Sequence, residues 1–107
     1  MPPPEVDLLK LNAAVGEACK LLKVLSNPDR LLLLCQMTQG EFAVSTLEAI
    51  TGVEQPTLSQ QLSVLRDEQM VKTRRDGKQI FYSIASSEAL AVLQVLYQLY
   101  CPNELES

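Results

Sequence analysis

From Leu8 onward the chain places an apolar residue every three or four positions, through Leu11, Val15, Ala18, Leu22 and Leu25. That spacing marks one face of an α-helix, and the helix is expected to stop near "SNP". A second helix follows, with Pro28 in its first turn, where the missing N–H costs nothing. It runs through Leu31 to Leu34, Cys35 and Met37, and Gly40 closes it. In "VSTLEAITG" Ser45 and Glu48 have the S-x-x-E spacing of a capping box, which predicts a short helix ended by a left-handed Gly52. Pro56 is then expected at the first position of a fourth helix whose buried side is Leu58, Leu62 and Leu65. Two helices joined by about four residues that include glycine form a helix-turn-helix.

The pattern changes period at "MVKTRRDGKQIFYSI". β-Branched and aromatic residues flank Asp76-Gly77, a strong hairpin signal, and Ile80, Tyr82 and Ile84 alternate as a half-buried strand does. A last helix begins at the serines of "SSEALAVLQVLYQLYCP". Its apolar Leu90, Leu93, Tyr97 and Tyr100 have heptad-like spacing, and Pro102 stops it. Val92, Val95, Leu96 and Leu99 make this helix apolar on several sides, so it needs cover from the domain on one face and from a partner on another. The order reads ααααββα: a mainly α fold with a β-hairpin wing, a winged helix-turn-helix, expected as a homodimer. One domain fills residues 1–107, with 1–6 a flexible lead and 102–107 a tail.

Composition narrows the function. At 107 residues the domain leaves roughly a third of its unfolded surface exposed after folding, which suits a dimer that buries one more apolar face. No apolar run approaches the ~20 residues of a membrane span, and "MPPPEVDLL" lacks the regions of a signal peptide. A cytoplasmic protein without a membrane partner is expected. Histidine is absent, which removes the commonest metal ligand and the commonest general base. Neither G-x-S-x-G nor the phosphate-loop pattern occurs. No enzyme, no metal site and no cofactor are expected. The three cysteines are an odd number without C-x-x-C, so any disulfide is a signal rather than a staple.

On a wheel of the fourth helix, Thr57, Gln60, Ser63 and Val64 lie opposite the leucines, flanked by Ser59 and Gln61. With Gln55 just before the helix, these short polar groups suit base edges in the major groove of double-stranded DNA. Between residues 72 and 82, Lys72, Arg74, Arg75 and Lys78 against Asp76 give a local charge of +3 in a chain of −4, so the remainder carries −7. Cations gathered beside a candidate recognition helix point to phosphate contact, by Arg74, Arg75 and Lys78 in particular.

Taken together, "LLKVLSNPDRLLLL", "GEFAVSTLEAITGVEQPTLSQQLSVLRDEQMVKTRRDGKQIFYSI" and "LYQLYC" resemble the ArsR/SmtB family of bacterial winged-helix repressors, over about residues 18–101. The resemblance implies a homodimer paired through its first and last helices, which binds a two-fold operator and leaves it when an inducer binds. The metal-sensing members' ligands are missing: Ala43 and Ser45 occupy the place of paired cysteines, and the last helix has no histidine. Gln61 replaces the family's usual recognition-helix histidine.

The residues alone leave Cys35 open, because a free cysteine behind leucines is usually a small core hydrophobe. The resemblance assigns it more. In the family's redox and persulfide sensors one cysteine lies in the second helix and one near the end of the last, matching Cys35 and Cys101. This implies that reactive sulfur species are the inducer and that the two thiols become cross-linked, with Cys19 left to packing; behind its leucines, Cys35 is expected to be the less accessible thiol of the pair. A related subgroup with the same cysteines activates by displacing a silencer. Two further alternatives stay open: a metal- or metalloid-responsive repressor recruiting all three thiols, and a winged-helix module whose cysteines only pack.

Overall fold

Asp7 starts the first helix, its carboxylate accepting the Leu9 N–H at 2.9 Å ahead of α1 (Leu8–Leu25). The computed structural model describes residues 7–101; the expected lead, tail and Pro102 stop lie outside them. Asn27 caps α2 (Pro28–Met37), accepting the Arg30 N–H at 3.0 Å, with Pro28 in the first turn as expected. Then come β1 (Phe42–Ala43), α3 (Val44–Thr51), α4 (Thr57–Asp67), β2 (Val71–Asp76), β3 (Gln79–Ile84) and α5 (Ser87–Tyr100). The chain is a winged helix-turn-helix, mainly helical, with a three-stranded antiparallel sheet in the order β1-β3-β2.

The expected order ααααββα lacks β1. Two residues are too short to show alternation, and Phe42 and Ala43 are strand only because they pair with Tyr82 and Phe81 of β3. The capping box also fails to form. Ala43 occupies the N-cap of α3 without a side-chain bond, because the β1 pairing carries the chain directly into the helix and leaves Ser45 inside it. Glu48 faces the other way, its carboxylate accepting the Gln55 N–H at 3.4 Å. Pro56 is the N-cap of α4 rather than its first residue. In the hairpin, Asp76 still pairs with Gln79, so the two-residue turn is Gly77-Lys78. Positive φ falls on Gly77 and not on Lys78, which matches a glycine-first primed turn.

The core is a leucine cluster. Leu33 and Leu34 of α2, Leu47 of α3, Leu58, Leu62 and Leu65 of α4 and Leu93 of α5 are fully buried. Both terminal helices depart from expectation. Of the predicted α1 stripe only Leu25 is buried, joined by Val24, while Leu8, Leu11, Val15 and Leu22 are exposed. On α5 the covered residues are Ala89 and Leu93, with Val92 and Leu96 partly covered, whereas Tyr97 and Tyr100 are exposed. The same cause serves both: fully covered positions occur only in the last turn of α1 and the first half of α5. The radius of gyration, 16.1 Å, exceeds the ~13 Å of a compact chain this long.

Between α4 and β2 the helix ends in a Schellman motif. The Met70 N–H bonds the Leu65 carbonyl at 2.9 Å and the Gln69 N–H bonds the Arg66 carbonyl at 3.0 Å, with Gln69 at φ 60. This left-handed position favours glycine. A non-glycine residue there costs about 1–2 kcal/mol, against the roughly 0.4–1 kcal/mol that glycine's freer unfolded chain takes back. Gln69→Gly should therefore stabilise the fold by up to ~1 kcal/mol, seen as a higher urea midpoint; an unchanged or lower midpoint contradicts it.

Candidate nucleic-acid interface and thiol pair

Helix α4 is held from beneath by Leu58, Leu62 and Leu65, so its opposite side must face solvent. Ser59, Gln60 and Ser63 are exposed there, beside a half-buried Thr57. Gln55 is exposed too, and its side-chain oxygen accepts the Ser59 N–H at 3.0 Å. It thereby satisfies one of the helix's orphan donors in place of the missing cap. Gln61 is half-buried, and its side-chain oxygen accepts from Arg30 Nη1 at 3.0 Å.

Nothing in the sequence pattern singles out Arg30. Besides Gln61 it reaches the carbonyls of Val24 at 2.8 Å and Lys23 at 3.3 Å. One guanidinium thus ties the end of α1 and the start of α2 to α4. No spacing rule signals such a bond, because its partners are 31 and 6 residues away.

The wing carries its cations on different faces. In register, Arg74 lies opposite Phe81 and Arg75 opposite Ile80. Lys72, Arg75 and Lys78 are exposed. Arg75 donates from Nε to the Gly77 carbonyl at 3.3 Å, across the turn. Arg74 is engaged more fully. Its Nε and Nη2 bind the Glu41 carboxylate at 2.7–3.1 Å, its Nη1 lies 3.9 Å from Asp76, and its guanidinium sits 4.9 Å from the Phe81 ring centroid. Those hydrogen bonds hold the Glu41 carboxyl below its ordinary value.

On the other side of the body, α2 meets α5. Cys35 is partly buried against the core and borders a cleft of about 440 Å³ that also has Thr38, Leu93 and Tyr97 on its walls. Cys101 follows the last turn of α5, its N–H bonded to the Tyr97 carbonyl at 2.7 Å. The two sulfurs are near enough for the charge of one to act on the other. Burial, and then the neighbouring Cys101, push the Cys35 thiol above its ordinary value. Both cysteines are free and partly exposed, so exposure does not set Cys101 apart as the more accessible thiol. Cys19 is exposed on α1 rather than packed within this chain. Among the described residues no group of three or more His, Cys, Asp or Glu is placed to hold a metal ion, and no helix is long and apolar enough to cross a membrane.

The raised Cys35 value fixes a direction in pH. In a Cys19→Ser background, alkylation of Cys35 should reach half its maximal rate above the pH of an ordinary thiol. Adding Cys101→Ser should lower that midpoint only in part, because burial is the larger cause. The folded state resists ionisation of this thiol, so the stability it contributes is whole below the unfolded value, 9.0, and is lost as pH rises through the folded one. A midpoint at or below the ordinary thiol value is the contrary result.

Comparison with known proteins gives four consistent findings. Residues 27–73 match the family described as bacterial regulatory protein, arsR family. The chain is 46% identical over 100 residues to the biofilm growth-associated repressor of Agrobacterium fabrum, covering 94% of this chain and 86% of the relative. Its fold is similar to the crystal structure of the transcriptional repressor BigR from Xylella fastidiosa, with TM-score 0.83 and 44% identity over 90% of this chain and 98% of that one. It is also similar to reduced HlyU from Vibrio cholerae, with TM-score 0.84 and 34% identity over 88% and 99%.

Proposed function

Because this chain belongs to the ArsR family of bacterial regulatory proteins, DNA-binding transcriptional regulators, we propose that it is a sulfur-responsive repressor whose dimer leaves its operator when Cys35 and Cys101 are cross-linked. What supports the sensing part is that Cys101, at the end of α5, acts electrostatically on Cys35 of α2 although the two are 66 residues apart in sequence.

The reader of DNA is α4. Thr57, Ser59, Gln60 and Ser63 enter the major groove, where a glutamine amide can bond adenine and hydroxyls can bond several base edges. Gln55 and Gln61 flank them with one side-chain oxygen each already engaged, and orient the helix as well as lining the groove. The wing lies over the adjacent backbone, with Arg75 and Lys78 at its tip. A second copy of the chain covers the bare apolar residues of α1 and α5, with Val15 half exposed and Leu99 at 65%. Two such wings then meet two half-sites.

For the switch, the thiolate of one cysteine attacks the outer sulfur of a persulfide, RSSH, takes that sulfur and releases RSH. The second thiolate attacks the sulfur still attached to the first cysteine and expels hydrosulfide. Two thiols and one RSSH thus yield a protein disulfide, RSH and hydrogen sulfide. A second RSSH leaves an extra sulfur in the bridge, which relaxes the Cα separation of about 4.4–6.8 Å that a plain disulfide demands. Burial slows attack by Cys35, so Cys101 is the first nucleophile. The bridge ties the last turn of α5 to α2 and moves the dimer's covered face relative to α4. A coupling of about 1–3 kcal/mol releases a modest repressor.

The reading is tested on a duplex that the reduced protein selects from a random pool. Cys35→Ser and Cys101→Ser should each bind that duplex when reduced, and neither should let go after polysulfide treatment; normal release by either variant sinks the two-thiol switch. Cys19→Ser should still respond. Retention of DNA together with stoichiometric metal uptake would favour the metalloid alternative.

Gln60→Ala should weaken binding to the selected duplex by about 1–3 kcal/mol and leave the unfolding midpoint unchanged. Normal binding would mean that a different face of α4 reads the DNA. Arg75→Gln or Lys78→Gln should weaken selected and random DNA alike and lower the salt slope by ~1 for each phosphate that is no longer neutralised.

A further inference from the structure

The four wing cations look equivalent in sequence, and the structure separates one of them. Arg74 starts on β2, crosses the middle strand over the Phe81 ring and ends on Glu41, the residue before β1 on the far side of the sheet. Its Nε donates to both carboxylate oxygens and Nη2 to Oε1, a two-nitrogen fork that only arginine offers. Val71, Tyr82 and Ile84 anchor the base of the wing in the core, while β1, two residues long, adds little backbone pairing to hold the sheet beyond that base. We propose that Glu41 and Arg74 form a clasp that sets the wing's position on the body, so that Arg74 serves DNA binding as a positioning residue and leaves phosphate contact to its exposed neighbours.

The electrostatics agree with the geometry. With Glu41 and Asp76 both on its guanidinium, Arg74 offers little net charge to a phosphate. Among the described residues no carboxylate lies within 4.0 Å of the charged nitrogens of Lys72, Arg75 or Lys78, which are the cations open to the duplex. The clasp also explains the order of the elements. Glu41 follows Gly40 at the end of the α2 connection, and Ala43 leads straight into α3. A grip at Glu41 therefore fixes the wing to the same connection that positions the helix-turn-helix.

The inference rests on the DNA-binding reading above, and its test separates the two. Without DNA, Glu41→Gln should speed amide hydrogen exchange in the Phe42–Tyr82 pairing, and Lys78→Gln should not. With the selected duplex, Glu41→Gln and Arg74→Lys should each weaken binding by about two- to fivefold, the range an exposed ion pair supports, at the salt slope of the unaltered protein. Arg74→Lys keeps the charge and loses the fork, so a clasp feels it and a simple phosphate contact does not. The clasp is overturned if exchange is unchanged in Glu41→Gln, if that variant binds DNA as well as or better than the unaltered protein, or if Arg74→Lys is neutral while Arg74→Gln lowers the salt slope by about one. If Arg75→Gln and Lys78→Gln leave the slope unchanged, the DNA reading of the wing fails, and the exchange result still decides the clasp.

Discussion

The leucine seam beneath α4 is the constraint on which the rest depends. Leu58, Leu62 and Leu65 are spaced by four and three residues and packed against Leu33, Leu34 and Leu47, so they leave the helix one rotation about its axis. A core this dense tolerates little rotation without opening a cavity. The polar residues between the leucines are therefore presented outward as a consequence of packing. Arg30 and Gln55 refine the placement at either side of the helix, but they act on an element whose orientation the core has already set.

The same core is too small to clothe the whole chain. It covers the end of α1 and the start of α5 and stops there, leaving Leu9 at 80% and Tyr100 at 79% exposed. Apolar rows of this length on two helices carry a continuing cost in water. In the proposed dimer a second chain removes that cost and also joins two copies of α4 at a fixed distance. On that proposal dimerisation and half-site spacing follow from the same deficit of core, and a change at the end of α5 alters both.

Much of this was legible because it rests on local periodicity. The leucine spacing of α4, the proline in the first turn of α2, the left-handed Gly52 and the change of period into the hairpin are each visible within a dozen residues. What the sequence hid depends on contacts between distant residues. Ser45 and Glu48 have the spacing of a capping box, but β1 pairing with β3 overrides it, and that pairing is a property of Tyr82 and Phe81 as much as of Phe42 and Ala43. The apolar stripes of α1 and α5 were recognisable as stripes; how far along each helix the body reaches was not. The partners of Arg74 and Arg30 lie 33 and 31 residues away, so a charge count treats a committed arginine and an open one alike.

The position of the thiols follows from the boundary between covered and uncovered structure. Cys35 belongs to α2, the helix that supplies two of the fully buried leucines, and Cys101 to the end of α5, which the body leaves bare. The proposed bond between them would join α2 to the end of α5, the part on which the proposed second chain packs. Had both thiols lain in the core, cross-linking would have had nothing to move and no path for a sulfur donor; had both lain on bare helices, it would not have reached α4. For the proposed switch, a pair that straddles the boundary is both open to a sulfur donor and coupled to α4 through the leucines of α2.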